Sequence, residues 1–484
     1  MPRMEGAELE KDPSRYAALV DKGVAGFILF GGRLEAVRAG IAELQKRAPA
    51  PLLIASDLER GLGQQVAGGT LLPWAMAIGS AYRAGIGEEV LRRAFSGLAA
   101  QARWAGINMV FAPVLDINSN PGNPIIASRA FGEDAETVSA LGAMMVQEIE
   151  KQGVLACGKH YPGHGDTTED SHSAMPVVNK AIEALEEFEL KPFRAAIGAG
   201  VSAIMTGHLK VPFIDPSGLP ATLSKSAIGY LRGQMGFKGL IVTDALNMAG
   251  TGMKEEEAAV LALEAGANIL LHPLDPDRTA GFLVEHAAPW RAAHPASGPD
   301  GSGLLREKRN FFRRCKKTKT PPSPPDFEGD RELAAQIALK AIRAQGEFFI
   351  SASGRLRTGG LTVVLLSDNP KSLLPFTGAL GELSPKTKVL VNPLDGLEKN
   401  KNLFPRDKGE LLVAVHSTPE AWKPPTAGLR ENIERFQALR PQAVWLSFGN
   451  PYMVPCGQDR LLTYSDTPEM QREMARRIAA GRLI

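Results

Sequence analysis

Seven short apolar runs punctuate the first half of this chain, and none of them alternates polar with apolar side chains. They are Phe27 to Phe30, Pro51 to Ala55, Met109 to Ala112, Val154 to Cys157, Ala203 to Met205, Leu240 to Val242 and Asn268 to Leu271. Runs of strand length without alternation fit parallel strands covered on both faces by helices. The segments between them, such as Glu88 to Ala105, Ala135 to Gln152 and Ala181 to Ile197, have the length and spacing of amphipathic crossover helices. The chain repeats a βα unit.

The polar residues at the ends of these runs narrow the architecture. Asp57, Asp116, His160, His208 and Asp244 each stand at or just past the carboxyl end of a different run. A closed (β/α)8 TIM-like barrel assembles its active site from the loops on that face, whereas an open sheet gathers ligands mainly at one switch point. The pattern favours the barrel. Such a barrel wants eight strands and seven are visible, so either the first strand is lacking or one strand is irregular.

From His294 to Asp330 the composition turns to Pro, Gly and Ser, with Thr320 to Pro325 reading TPPSPP, and this resists helix and sheet. Beyond it, Leu361 to Leu366, Val389 to Val391, Leu411 to Val415 and Ala443 to Leu446 alternate with helical segments such as Arg430 to Leu439. The expected organisation is a barrel over 1–293, a linker over 294–330 and a smaller α/β sandwich domain with an open sheet over 331–484.

The formal net charge of +2 hides a local excess: Arg306 to Lys319 holds eight basic residues and one acid, leaving 47 basic and 52 acidic residues elsewhere. A solvated helix face beside a linker is the ordinary reading of that run, contact with an acidic partner the other. No nucleic-acid partner follows from this balance. No apolar run is long enough to span a bilayer, and the polar start lacks the apolar core of a signal peptide. Cys157, Cys315 and Cys456 are too few and too scattered for a disulfide framework or a zinc cluster. A cytoplasmic location is expected.

Lys159 to His172 reads KHYPGHGDTTEDSH and packs three of the eight histidines and two aspartates into one Gly/Pro-punctuated loop behind an apolar run. His160, His164 and His172 with Asp166 and Asp170 have side chains that suit zinc, but the spacing is not that of a helix-borne pair. For His164 the alternative is a loop-shaping hydrogen bonder. In His172 with Asp170 a carboxylate can accept an imidazole N–H, fix its tautomer and raise its basicity, which suits an acid/base catalyst near neutral pH. Such a group needs a nucleophile. Asp244, at the end of Gly239 to Thr243, is the candidate, with a helix N-cap as its ordinary alternative.

These residues resemble a known family. Lys159 to His172 is similar to the K-H-[FY]-P-G-H-G-D-T-x-x-D-S-H signature of the β-N-acetylglucosaminidases among the family 3 glycoside hydrolases. Val242 to Met248 resembles the segment holding their nucleophile, Ser128 to Asp134 their R-x-F-G-x-D element, and Asp57-Leu58-Glu59 their D-x-E. The domain beyond the linker resembles the α/β domain of the two-domain members. The resemblance implies a retaining hydrolysis of terminal β-linked N-acetylglucosamine, as in cell-wall fragments, through a glycosyl-enzyme on Asp244. His172, oriented by Asp170, would protonate the leaving oxygen and then deprotonate water, in place of the usual carboxylic acid. Asp57, Arg129, Lys159 and His160 would bind sugar hydroxyls, and no metal or cofactor is implied.

The chain departs from the family at several positions. Asp57 to Gln65 reads DLERGLGQQ, so Arg60 replaces a common glycine and Gln65 stands where a sugar-binding Arg is usual. Ala245 follows Asp244 where an acid is common. Three other readings therefore stay open: an N-acetylglucosaminide phosphorylase of the same family, a non-catalytic carbohydrate-binding homologue, and a metal-dependent hydrolase using the histidine loop.

Overall fold

The computed structural model describes residues 1–167, 175–248, 251–286, 324–346, 361–392, 411–417 and 426–483. Residues 294–323 of the expected linker, with the whole basic run, lie outside them. Two compact units divide the chain: Met1–Leu71, Glu89–Asn123 and Ala130–Arg331 form one, and Leu72–Glu88, Pro124–Arg129 and Glu332–Ile484 the other.

The first unit is the βα barrel. Its parallel strands follow one another in chain order: β1 (Arg3–Glu5), β2 (Gly26–Phe30), β3 (Leu53–Ser56), β4 (Met109–Val110), β5 (Leu155–Tyr161), β6 (Ala203–Thr206), β7 (Leu240–Ala245) and β8 (Ile269–Leu271). The strand missing from the sequence pattern is β1, present after all and paired through Arg3 with Ile28 and Glu5 with Phe30. Three residues are too few to show a period. The ring closes where the Met1 nitrogen donates to Leu270 O at 2.8 Å and His272 N donates to Met1 O at 2.9 Å.

Side chains alternate along a strand, so every second residue points down the barrel axis. Ile28, Leu53, Ala55, Met109, Phe111, Leu155, Cys157, Ala203, Met205, Leu240, Val242, Ile269 and Leu271 fill that interior as one buried cluster. The crossover helices cover the outside. Glu88–Trp104 and Ala135–Lys151 form as the spacing predicts, the second capped by Asp134, which accepts from Thr137 N at 2.7 Å. Ala181 to Ile197 is a correction: it divides into Ile182–Glu187 and Lys191–Gly198. Pro192 lacks an N–H and suits the first turn of a helix but not its interior, so a new helix starts there.

The second unit holds an open sheet of β9 (Arg343–Gln345), β10 (Thr362–Ser367), β11 (Lys388–Val391), β12 (Leu411–Ser417), β13 (Val444–Gly449) and β14 (Arg460–Leu462), in spatial order β11-β10-β12-β13-β14-β9. Among these described strands β9 alone runs antiparallel, against β14. Alternation again sorts the side chains: Val363, Leu365, Leu412, Ala414, Leu446 and Phe448 pack on one face, Val364, Leu366, Val413, Val415 and Trp445 on the other. Both faces are apolar because helices cover both. The segment Leu72–Glu88 is bound into this unit, with Trp74 Nε1 donating to Asp466 Oδ1 at 3.0 Å and Ser80 Oγ to Ala341 O at 2.8 Å. Among the described residues no helix is long and apolar enough to cross a membrane.

Candidate active site

The barrel's inward period continues one step beyond its apolar plug, and there the residue type changes. Ala55, Cys157 and Val242 belong to the buried cluster, and two residues further on stand Asp57, Lys159 and Asp244. The same alternation that buries the first three brings the second three to the carboxyl rim of β3, β5 and β7. All three charges act on the Cys157 thiol: burial pushes its pKa far up, Lys159 opposes this, and Asp57 and Asp244 add to it.

A cation so deep needs partners, since an unpaired buried charge is several kcal/mol unfavourable. The Lys159 side chain is 3% exposed, and its Nζ lies 2.7 Å from Asp57 Oδ1 and 2.7 Å from Glu59 Oε1. Asp57 remains 24% exposed and is the member of this group that solvent or ligand reaches. Glu59 was legible only as the end of the D-x-E element; its role as the second counter-charge is a product of folding.

His160 is oriented by Asp116. The carboxylate is fully buried and accepts from His160 Nδ1 at 2.7 Å on Oδ2, and from His160 N at 3.2 Å and His164 N at 2.7 Å on Oδ1. Burial by itself would raise the Asp116 pKa, but the neighbouring imidazole of His160 and these hydrogen bonds outweigh it and hold the group below its ordinary value. A carboxylate on Nδ1 fixes that nitrogen as the donor and leaves Nε2 to face outward chemistry. The peptide bond between Lys159 and His160 is cis, and the β5 register against β6 shifts between Gly158 and Tyr161. A bulge of this kind re-aims side chains at a rim.

His164 is a loop-shaping residue. Thr167 Oγ1 donates to His164 O at 3.0 Å, so it accepts from His164 Nδ1 at 2.7 Å, while Asn123 Nδ2 donates to the same carbonyl at 2.8 Å. Burial pushes its pKa down to about 4, which keeps the ring neutral at pH 7. Asp166 is engaged elsewhere: Ser119 Oγ donates to it at 3.2 Å and Lys180 Nζ lies 3.0 Å away. Among the described residues no group of three or more His, Cys, Asp or Glu is arranged to hold a metal ion. Asp170 and His172 lie outside the described residues.

Asp244 is half-buried on β7, with Oδ1 accepting from the Ala245 N–H at 2.8 Å. It lies inside the strand, which runs on to Ala245. Arg129 closes a single 3-10 turn, Ala127–Arg129, donates to Ile125 O at 3.1 Å and belongs to the second compact unit. His208, a strand-end residue without an assigned role in the sequence, donates to Ala245 O at 3.0 Å. The first unit therefore presents, at one rim, a carboxylate on a strand end, a paired cation and an oriented imidazole. This is a donor-rich, partly open mouth suited to hydroxylated ligands and to attack by a carboxylate.

Residues 4–286 match the glycosyl hydrolase family 3 N terminal domain. A beta-hexosaminidase of Chromobacterium violaceum is 36% identical over 325 residues, covering 65% of this chain and 88% of that protein. A beta-N-acetylglucosaminidase/beta-glucosidase of Cellulomonas fimi is 35% identical over 257 residues, 51% of this chain, which spans 45% of that longer protein. The structure of a family 3 beta-N-acetylglucosaminidase from Paenibacillus sp. str. FPU-7 superposes with a TM-score of 0.82 at 29% identity, covering 100% of this chain and 95% of that one. With its family match spanning the whole barrel and its fold shared end to end with a solved member, the chain belongs to glycosyl hydrolase family 3 and is a glycosidase.

Proposed function

We propose that the chain is a retaining exo-glycosidase that releases terminal β-linked N-acetylglucosamine. The Asp244 carboxylate attacks the anomeric carbon as the bond to the leaving oxygen breaks, and His172, oriented by Asp170, gives that oxygen its proton. Water then attacks the glycosyl-enzyme, giving a proton to His172 and releasing Asp244. Asp57, Lys159 and His160 hold the sugar hydroxyls. The reading draws its substrate from the names of the relatives and its nucleophile from one observation: Asp244 stands two residues past Val242 of the buried barrel interior, and its charge, like those of Asp57 and Lys159, is felt by the buried Cys157 thiol. A cytoplasmic site of action, suggested by cysteine usage, is part of the same proposal.

Trapping with a mechanism-based fluorosugar of N-acetylglucosamine, followed by peptide mapping, tests both sugar class and nucleophile. The expected label sits on the peptide containing Asp244, and turnover of an aryl N-acetylglucosaminide proceeds without phosphate. A label on another residue sinks the nucleophile, and a rate that requires phosphate turns hydrolysis into phosphorolysis.

A further inference from the structure

The peptide on the carboxyl side of the proposed nucleophile is held from a neighbouring strand. His208 comes two residues after β6, is fully buried, and has its Nε2 3.0 Å from the Ala245 carbonyl oxygen. A carbonyl oxygen only accepts, so Nε2 carries the hydrogen and His208 is the donor. The N–H of the same Ala245 donates to Asp244 Oδ1 at 2.8 Å. Residue 245 is gripped at both ends, its carbonyl by the imidazole and its N–H by the carboxylate it steadies.

The Ala245 carbonyl also accepts from the Met248 N–H at 3.1 Å, across the turn that follows β7. The register of β7 against β8 shifts between Val242 and Ala245, so the regular ladder does not carry through the position of Asp244. His208 stands on firmer ground. Thr222 Oγ1 lies 3.2 Å from Thr206 O and 2.9 Å from Gly207 O, and Ala221 N donates to Leu209 O at 2.7 Å. Lys210 bridges Val177 on one side and Pro220 on the other, with Val178 N donating to Lys210 O at 2.8 Å. The imidazole is therefore a fixed post against which a broken ladder is set.

We infer that His208 is a positioning residue for the reaction: through the Ala245 peptide it sets the orientation of the Asp244 carboxylate. The inference rests on the reading of Asp244 as nucleophile. His208 acts on Ala245 and not on the sugar, so its loss reaches the chemical step before it reaches binding. His208→Leu keeps comparable bulk and removes the donor, whereas His208→Gln returns an N–H at the distance of Nε2.

The test uses the full chain, the fluorosugar trap above, free N-acetylglucosamine as binding probe, and thermal unfolding. His208→Leu is expected to slow both trapping and kcat by about 10²-fold, the scale on which small misplacements act. Its Kd for N-acetylglucosamine stays within about twofold of wild type, because uniform binding is untouched. His208→Gln recovers most of the lost rate. If His208→Leu does not fold, His208→Asn, whose amide falls short of the Nε2 position, takes its place with the same expected loss. A wild-type rate in His208→Leu overturns the role, as does a loss shared equally by rate and affinity with no recovery in His208→Gln. A wild-type label away from Asp244 removes the nucleophile reading itself, an outcome visible before any variant is made.

Discussion

The carboxyl ends of the strands in the two units both carry histidine beside hydroxyl and carboxylate, yet they are built differently. At the barrel rim, β3, β5 and β7 each send an ionisable group along the inward register, and opposite charges meet across strands at 2.7 Å. In the second unit His416 ends β12 with its Nδ1 3.2 Å from Ser367 Oγ and 3.1 Å from Ser372 Oγ, while Asp466 lies 3.8 Å from Nε2, beyond hydrogen-bond reach. Asp368 accepts from Thr426 N at 2.9 Å, and Asn392 Oδ1 accepts from Ser367 N at 3.1 Å. The ladders there also run unbroken, from Thr362 to Ser367 and from Leu412 to Ser417. A polar residue at the end of a parallel strand is thus no site by itself. A closed ring aims every inward residue at one axis, so charges from different strands converge, whereas an open sheet divides them between two faces where hydroxyls and backbone satisfy them locally.

The sharpest way to break this contrast is Lys159→Met. It leaves Asp57 and Glu59 facing each other without their cation, and breaking a buried pair on one side costs about 3 to 5 kcal/mol. Thermal unfolding should fall accordingly, and kcat/KM for an aryl N-acetylglucosaminide should drop by at least about 10²-fold. Near-wild-type kinetics would mean that the charges at the barrel mouth do not act together.

Acid tests the same rim at smaller scale. The His164 pKa lies at about 4 in the folded chain against an ordinary 6.5. Between those values the unfolded chain binds a proton that the folded ring refuses, so acid favours unfolding there. Stability is whole above about pH 6.5 and declines as the pH falls toward 4, by at most about 1.4 kcal/mol per pH unit for this one group. His164→Asn, which keeps a donor in place of Nδ1, should flatten urea midpoints against pH in that window. A slope equal to wild type would assign the acid sensitivity elsewhere.

The smallest effect belongs to the second unit. His416→Gln should lower stability by about 1 kcal/mol, the scale of a few neutral hydrogen bonds exchanged, and leave turnover within about twofold. A collapse of activity in a stable variant would erase the difference between the two sets of strand ends.

Local pattern carried much of this protein. Apolar runs and the polar residues at their ends were enough to select a βα ring and to single out Asp57, Asp116, His160, His208 and Asp244, because run length and turn chemistry act over a few residues, while Lys159 came from the resemblance of its loop to a family signature. The fold decided what no window of sequence contains. It made a strand from Arg3–Glu5 through pairing with β2, gave Lys159 a second counter-charge in Glu59, and chose Asp116 to orient His160. It also stood His208 against Ala245 and gathered Leu72–Glu88 and Pro124–Arg129 into the second unit. Ring closure and the neutralising of buried charge join residues far apart in the chain, and such pairings exist only once the strands have been brought side by side.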